Sequence, residues 1–309
     1  MAEMLYQRDV YGQTLVELAR QKKDIAVLDA DLSSSTRTGI FAKEFPERFF
    51  NFGVAEQNMM ATAVGLASCG KTVFASSFAM FATGRAWDQV RNSVSYNNFN
   101  VKIVASHAGI TVGPDGASHQ ALEDIALMRV IPNMRVVVPC DGPQTRQAII
   151  ACAETPGPFY IRLGRSKVPT IENVPEFRLG KAQILAEGSD VTIAACGIMV
   201  QEALIAAKNL LQKNIKVCVI NVHTIKPLDA EAILESVRKT GRIVSCEEHS
   251  VTGGLGCAIS EVLSEHLPAR LIRIGVKNRF GQSGDGAELL KEYGLTSQDI
   301  EKAVLEAVS

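Results

Sequence analysis

The stretch RFFNFGVAEQNMMATAVGLASCG, residues 48–70, encodes a strand, a turn and a helix in succession. A short β-rich run closes at Gly53, and the apolar residues that follow are long enough for a core helix. Glu56 lies at the turn, and almost no other charge occurs between Phe49 and Cys69. A strand feeding directly into a helix is the repeating unit of a parallel sheet. A single carboxylate in such an apolar segment makes Glu56 a candidate functional residue.

The same alternation extends in both directions from this unit. Further β-rich runs of the first half are DIAVLDA, TVFAS, VKIVASHA, RVVVPC and FYIRLG. Helical patterns lie between them, near residues 10–20, 55–69, 82–97, 118–129 and 142–153. Asp141 and Pro143 mark one helix start, because an aspartate caps the first turn and a proline there needs no donor. The first half therefore predicts a mostly parallel sheet covered by helices.

A break in the pattern separates this half from a second one. Residues 169–188 carry two prolines and two glycines with weak periodicity, as expected of a linker. A second series follows, with strands VTIAACG, KVCVINV, RIVSCEE and RLIRIGV. At 309 residues the chain exceeds the usual size of one core. We predict two doubly wound α/β domains, one over residues 1–168 and a smaller one over residues 189–309.

The composition excludes several classes of partner. Hydrophobic residues make up 47% and charged residues 21% of the chain, and the formal net charge is -1. This balance gives no basic surface for nucleic acid or for an anionic membrane. The first residues lack a basic-then-apolar signal pattern, and no apolar run is long enough to span a bilayer. We therefore expect a cytoplasmic protein with no nucleic-acid or membrane partner.

Polar residues follow the predicted strands of the first domain. The runs DADLSSSTR, SHAGITVGPDGASHQ and GRSK each come after a strand, as Glu56 does. In open parallel sheets, ligands bind outside the carboxyl ends of the strands. Four loops thus offer convergent polar groups for a ligand at one edge. Arg8, Arg165 and the Ser35 hydroxyl could gather there, where a guanidinium suits a phosphate group.

One glycine-rich loop holds His107, Asp115 and His119. Two histidines and a carboxylate form a known metal-binding set, but their spacing fits no standard zinc or iron signature. The same groups could instead bind the hydroxyls of a ligand, and we favour that interpretation. Three solvated loop residues are the remaining alternative.

Taken in order, the motifs YQRDVYGQTL, DADLSSST, FGVAEQNM, SSFAMF, SHAGITVGPDGASHQALEDIALMRVIPNM and LGRS resemble the transketolase family. The resemblance covers essentially the whole chain, which corresponds to the family's pyrimidine-binding and C-terminal domains. The diphosphate-binding domain has no counterpart here. The chain is thus similar to the C-terminal subunit of a split transketolase.

The resemblance implies roles for the residues at the sheet edge. Glu56 aligns with the carboxyl group that contacts the aminopyrimidine of thiamine diphosphate, where sharing a proton with the ring nitrogen prepares the cofactor for reaction. A first-turn helix charge is the structural alternative for Glu56. Phe78 and Phe81 correspond to the aromatic residues against the pyrimidine ring, although both also fit a core stripe. Gly84 stands where many members carry a third aromatic residue.

The substrate contacts follow from the same resemblance. The implied sugar-binding residues are His107, Asp115 and His119, and the implied phosphate anchors are Arg8, Ser35 and Arg165. A pyruvate-using site has little need of Asp115, which argues against a 2-oxoacid dehydrogenase beta subunit.

The implied activity is reversible transfer of a two-carbon ketol group from a ketose phosphate to an aldose phosphate, as in the pentose phosphate pathway. Mg²⁺ or Ca²⁺ and the diphosphate would be held by a separate N-terminal subunit. The Gly-Asp-Gly triplet at residues 284–286 cannot hold them, because the family's motif ends in asparagine and none of the 23 residues after Gly286 is one. The triplet predicts a helix-capping turn instead. We expect a heterotetramer with two copies of each subunit, acting on sugar phosphates.

Three alternatives stay open at this stage. A chain similar to 1-deoxyxylulose-5-phosphate synthase would share much of the same sequence. A 2-oxoacid dehydrogenase beta-like subunit is a second enzyme alternative. The third is a binding half that keeps the fold without turnover, since fold alone does not secure function.

Overall fold

The computed structural model describes residues 3–309, which alternate between strands and helices along the whole chain. Within these residues the strands are β1 Met4–Tyr6, β2 Ile25–Asp29, β3 Phe49–Asn51, β4 Thr72–Phe78, β5 Val101–Ser106, β6 Arg135–Val137, β7 Phe159–Arg162, β8 Lys167–Pro169, β9 Gln183–Ala186, β10 Val191–Ala195, β11 Val217–Asn221, β12 Thr224–Lys226, β13 Arg242–Ser250 and β14 Arg270–Val276. The α-helices are α1 Gln7–Gln21, α2 Ser33–Thr36, α3 Thr38–Glu44, α4 Glu56–Ser68, α5 Asp124–Arg129, α6 Gly142–Glu154, α7 Met199–Leu211, α8 Ala230–Thr240, α9 Leu255–His266, α10 Gly286–Glu292 and α11 Ser297–Val308.

Shorter helical turns complete the first half of the chain. Two of them are 3₁₀ turns, Pro46–Arg48 and Ile110–Asp115. Two more are π-helical, Phe81–Arg85 and Gln89–Ser95. A π-helical turn holds one more residue than an α-helical turn, and such turns often occur at functional sites.

The first sheet has seven strands in the order β12-β6-β7-β5-β4-β2-β3. All neighbours are parallel except β12, which pairs antiparallel with β6. Every residue of β2, β4 and β5 is buried. Strands buried on both faces are expected when helices cover both sides of a parallel sheet.

The second sheet has five strands in the order β14-β13-β10-β11-β9. Four are parallel, and β9 pairs antiparallel with β11 at the edge. The predicted fold class is confirmed: the chain is α/β, with a mostly parallel first sheet and a smaller C-terminal α/β part. Strand β9 lies inside the segment predicted as a linker, where its four residues were too few to show a strand pattern.

Apolar side chains fill both sides of the first sheet. Tyr11, Leu15 and Phe41 pack with the strands on one side. On the other side, Met59 and Met60 of α4 belong to a core that continues into the second sheet and includes Ile220 and Ile259. The two sheets therefore share one apolar core at their junction.

The helix ends follow the predicted chemistry at two sites. Asp141 caps α6 by accepting a hydrogen bond of 2.8 Å from the Gln144 amide, and Asp285 caps α10 by accepting one of 2.9 Å from Ala287.

The predicted helix at residues 118–129 begins only at Asp124. The residues before Asp124 stay non-helical because the Gln120 side chain donates hydrogen bonds to the Ile110 and Gln282 carbonyls. Among residues 3–309, every helix is too short or too polar to cross a bilayer.

A buried ion pair lies where the two halves meet. Arg162 Nε is 2.7 Å from Asp124 Oδ2, and the Tyr160 hydroxyl donates to the same oxygen at 2.6 Å. Burial alone would raise the pKa of Asp124, but the charges of Arg162 and His249 and the hydrogen bonds from Arg162 and Tyr160 together lower it. Arg162 also donates to the Glu248 carbonyl oxygen of β13 at 2.9 Å. One buried guanidinium thus joins the first sheet to the second.

Removing the charge of Asp124 should destabilise the protein strongly. Asp124→Asn would remove the carboxylate in direct contact with the buried Arg162 guanidinium, and we expect the free energy of unfolding to fall by about 3–5 kcal/mol. The exposed pair of Arg178 and Glu176 offers a control. Glu176→Gln should change the free energy of unfolding by less than about 0.5 kcal/mol. Urea unfolding of both variants provides the measurement. Equal losses in the two variants would contradict a special role for the buried pair.

Candidate functional site

The candidate site lies at the carboxyl edge of the first sheet, because parallel strands all end on the same side. The register brings particular residues together there: Phe78 at the end of β4 pairs with Ser106 at the end of β5. His107 follows Ser106 directly, and its ring stacks on Phe78 with centroids 3.8 Å apart. Residues far apart in sequence are therefore in contact through strand pairing.

Glu56 is the first residue of α4 and is almost completely buried. Both of its oxygens accept from one nitrogen of Arg85, Nη1, at 3.0 and 3.1 Å. The Arg85 side chain is 48% exposed, and its guanidinium also lies over the Phe81 ring, 4.9 Å from the centroid. A flat cation with N–H donors is thus held between a carboxylate and an aromatic face.

Arg85 was missed by the sequence analysis. It follows Phe81 by four residues, which is the one signal that places both on the same side of a helical turn. The exposed Gly84 lies between them inside the π-helical turn. Because this turn is wider than an α-helical one, the side-chain directions could not be derived from helical spacing.

The aromatic and imidazole groups form a single cluster. Phe78 and Phe81 have nearly parallel rings with centroids 6.2 Å apart. His119 meets Phe81 edge-on at 5.3 Å and is also near Phe78. The structure therefore brings together both predicted aromatic residues and both predicted histidines.

His107 is held as a neutral imidazole. Its side chain is almost completely buried, and Nδ1 is 2.9 Å from the Ser106 hydroxyl. Burial, followed by the nearby charges of Arg8 and Arg165, lowers its pKa to about 3. Near neutral pH the ring can therefore donate one hydrogen bond and accept another without carrying charge.

Arg8 and Arg165 are both close enough to His107 for their charges to act on its ring. Arg8 Nη1 donates to the backbone oxygen of Ser35 at 3.1 Å, not to its hydroxyl. The Nε of Arg8 is buried and has no hydrogen-bond partner within residues 3–309. Burial and the Arg37 charge lower the pKa of Arg8. An anionic ligand would accept from this unpaired N–H and would reduce the repulsion between Arg8 and its cationic neighbours.

Arg165 is oriented by the loop that carries the histidines. Its Nη1 donates to the Val112 carbonyl at 2.5 Å. Asp115 ends the 3₁₀ turn of this loop and is exposed. Among the contacts within residues 3–309, none joins Asp115 to the aromatic and imidazole cluster.

Comparisons with known proteins agree over nearly the whole chain. Residues 3–170 match the model of the transketolase pyrimidine binding domain, and residues 180–300 match that of the transketolase C-terminal domain. A transketolase C-terminal section from Methanocaldococcus jannaschii is 52% identical, with 97% of this chain and 95% of that protein covered. A 6-deoxy-6-sulfo-D-fructose transketolase subunit from Clostridium sp. is 46% identical, with 97% and 93% covered. A solved structure described as a split gene transketolase, inactive beta4 tetramer, shares 52% identity at a TM-score of 0.92, with 98% of each chain covered.

Acid should weaken the fold partly through His107. Its pKa is about 3 in the folded chain and near 6.5 when exposed, so between these values the unfolded chain binds a proton that the folded chain does not. Stability therefore falls as the pH drops through this window, by up to about 1.4 kcal/mol per pH unit for one proton. His107→Asn, which suits the backbone φ of +58° at this position, should make the decline shallower.

The measurement is the free energy of unfolding in urea between pH 6.5 and pH 4. The same substitution at the exposed His266 controls for the loss of a histidine from the unfolded chain. An unchanged slope in His107→Asn would show that His107 does not resist protonation in the folded chain.

Proposed function

The chain belongs to the transketolase family, and from that premise we propose that it is the pyrimidine-binding subunit of a split, thiamine-diphosphate-dependent transketolase. The proposed reaction is reversible transfer of a two-carbon ketol group from a ketose phosphate to an aldose phosphate. The observation that carries the proposal is the buried Glu56 carboxylate, which accepts from the Arg85 guanidinium while that flat group lies over the Phe81 ring. The boundaries at residues 168 and 189, and a cytoplasmic location, remain predictions.

The residues present fit the aminopyrimidine of thiamine diphosphate. The Arg85 guanidinium is planar, donates N–H groups to Glu56 and lies over Phe81, so it indicates the kind of group that these two side chains accept. A flat heterocycle with a ring N–H has the same character. When bound, the cofactor supplies the group that attacks the ketose carbonyl and holds the electrons of the broken carbon–carbon bond.

Glu56 would hold a proton at the pyrimidine ring nitrogen. Its position at the first turn of α4, above the buried Met59 and Met60, fixes the carboxyl group and keeps water away from it. Phe78 and Phe81 would orient the heterocycle by contact with its face. The carboxylate and the rings are thus assigned to proton handling and positioning, respectively.

The imidazoles and Asp115 would bind the sugar hydroxyls. A neutral His107 can accept from one hydroxyl or donate to one, and His119 lies across the same aromatic pair. Asp115 is exposed and free to accept from a hydroxyl group. These groups suit a hydroxylated donor better than pyruvate, whose methyl group offers no hydrogen bond.

Arg8, Arg165 and Ser35 would bind the anionic end of the substrate. The partnerless Nε of Arg8 supports this assignment. A guanidinium can also donate to a sulfonate, and the 46% identical relative is described as a 6-deoxy-6-sulfo-D-fructose transketolase subunit. A sulfonated ketose is therefore the second candidate donor.

A separate subunit would supply the metal and diphosphate ligands. The Asp285 carboxylate of the Gly-Asp-Gly triplet is occupied as the cap of α10. No group of three or more metal-ligating side chains is clustered within residues 3–309. The similarity to a split gene transketolase chain supports a two-subunit enzyme, and we propose two copies of each subunit.

Reconstitution tests the proposal directly. We expect the purified chain with thiamine diphosphate and Mg²⁺ to show negligible ketol transfer. Addition of the diphosphate-binding subunit from the same organism should restore transfer and give a heterotetramer in light scattering. Glu56→Gln should assemble equally well and lose most turnover, because an amide cannot share the ring proton. Full activity from this chain alone, or wild-type turnover in Glu56→Gln, would refute the proposal.

Arg165→Ala should distinguish anionic from neutral substrates. Loss of a charged hydrogen-bond partner should cost roughly 1.5–3 kcal/mol, which is about ten- to a hundredfold in kcat/KM. We expect this loss for phosphorylated sugars and a much smaller one for unphosphorylated analogues. Arg178→Ala, at an exposed position, is the control. Kinetics with a phosphorylated and a sulfonated ketose would identify the preferred donor, and equal losses on charged and neutral sugars would remove Arg165 from the site.

A further inference from the structure

The loop that carries the histidines rests on the C-terminal half of the chain. We call residues 107–120 the substrate loop. Gln120 Nε2 donates to the Gln282 carbonyl at 2.9 Å. A Cβ added at Gly116 would lie 2.6 Å from Ser283 Oγ, and one at Gly113 would lie 3.1 Å from the Gly284 carbonyl oxygen. Three positions of the substrate loop are therefore packed against the segment before α10.

Glu248 of β13 makes the most direct of these contacts. It is 3% exposed, and its Oε1 accepts from the Thr111 amide at 2.7 Å. A Cβ added at Gly109 would lie 2.2 Å from the carboxylate carbon, so the loop passes the carboxylate too closely for any side chain at that position. A buried carboxylate is costly unless its acceptors are used. The hydrogen bond from Thr111 therefore offsets part of the cost of burying the Glu248 carboxylate.

The position of Glu248 is itself fixed from the first sheet. Arg162 donates to the Glu248 carbonyl oxygen at 2.9 Å, and the next bond along, from the Ser250 amide to Leu122, is 2.8 Å long. Burial raises the pKa of Glu248, and Arg162 opposes that effect. The end of β13 is therefore tied to β7 and to the residue that follows the substrate loop by two positions.

We propose that Glu248 is a positioning residue for the substrate loop. It holds Thr111, and the next residue, Val112, provides the carbonyl that orients Arg165. The C-terminal half would then act in substrate binding without touching the substrate. This inference rests on the proposed function, because it takes the loop to be the sugar-binding segment.

Glu247 offers a matched control on the same strand. It is fully buried like Glu248, but alternation along β13 sends its side chain the other way. Its oxygens accept from the Leu255 and Gly256 amides at 2.7 and 2.9 Å and cap α9 within the C-terminal half. Loss of this carboxylate should cost stability and leave the substrate loop in place.

Hydrogen exchange of the isolated full-length chain tests the contact without any turnover. Glu248→Ala should speed amide exchange in residues 109–113 by roughly tenfold or more, because the Thr111 amide loses its acceptor. Glu248→Gln keeps an acceptor oxygen and should retain most of the protection. Glu247→Ala should speed exchange at the start of α9 instead. Unchanged exchange at Thr111 in Glu248→Ala, or the same change in Glu247→Ala, would overturn the inference.

Kinetics of the assembled enzyme test the positioning role. We expect Glu248→Ala to raise the KM for the donor sugar roughly tenfold, with rescue by Glu248→Gln and with the cofactor Kd unchanged. Glu247→Ala should keep the wild-type KM. An unchanged KM in Glu248→Ala, or a parallel loss of cofactor affinity, would overturn the role. If the assembled wild-type enzyme shows no ketol transfer, the proposed function fails, and the exchange experiment alone decides whether Glu248 holds the loop.

Discussion

Parallel pairing of β2, β4, β5 and β7 is the constraint on which the site depends. Because these strands run the same way, the residues that follow them all emerge at one edge of the sheet. The register then decides contacts, as it does when Phe78 is placed beside His107. An antiparallel central strand would send its loop to the opposite edge and remove the residues of that loop from the site.

Arginine side chains and a neutral imidazole lie close together at this edge. Arg8 lies near the like charges of Arg37 and Arg165, and its buried Nε donor has no hydrogen-bond partner within residues 3–309. Burial, reinforced by the charges of Arg8 and Arg165, keeps His107 neutral. The fold thus places a guanidinium with an unused donor beside an uncharged imidazole, and under the proposed function these groups would bind the anionic end and the hydroxyls of a sugar.

Sequence patterns were sufficient for the features that are local or that follow from strand alternation. The strand-to-helix turn at Glu56, the cap at Asp141 and the fold class all belong to this group. The partners of Glu56 and of the substrate loop do not, because Arg85 reaches Glu56 through a π-helical turn and Glu248 reaches Thr111 across 137 positions of the chain. Strand β12 was hidden for the same reason, since three residues carry no periodicity and its partner β6 lies in the other half.

Strand β12 has a consequence for the order in which the molecule forms during synthesis. Ribosomes deliver the chain from its amino end, and amino-terminal domains commonly fold first. Here the first sheet stays incomplete until Thr224–Lys226 emerges, after β10 and β11 of the second sheet. Until then β6 presents an open edge, which is a site for pairing with another nascent chain. Synthesis of residues 138–226 is therefore the interval in which the β6 edge is open to such pairing.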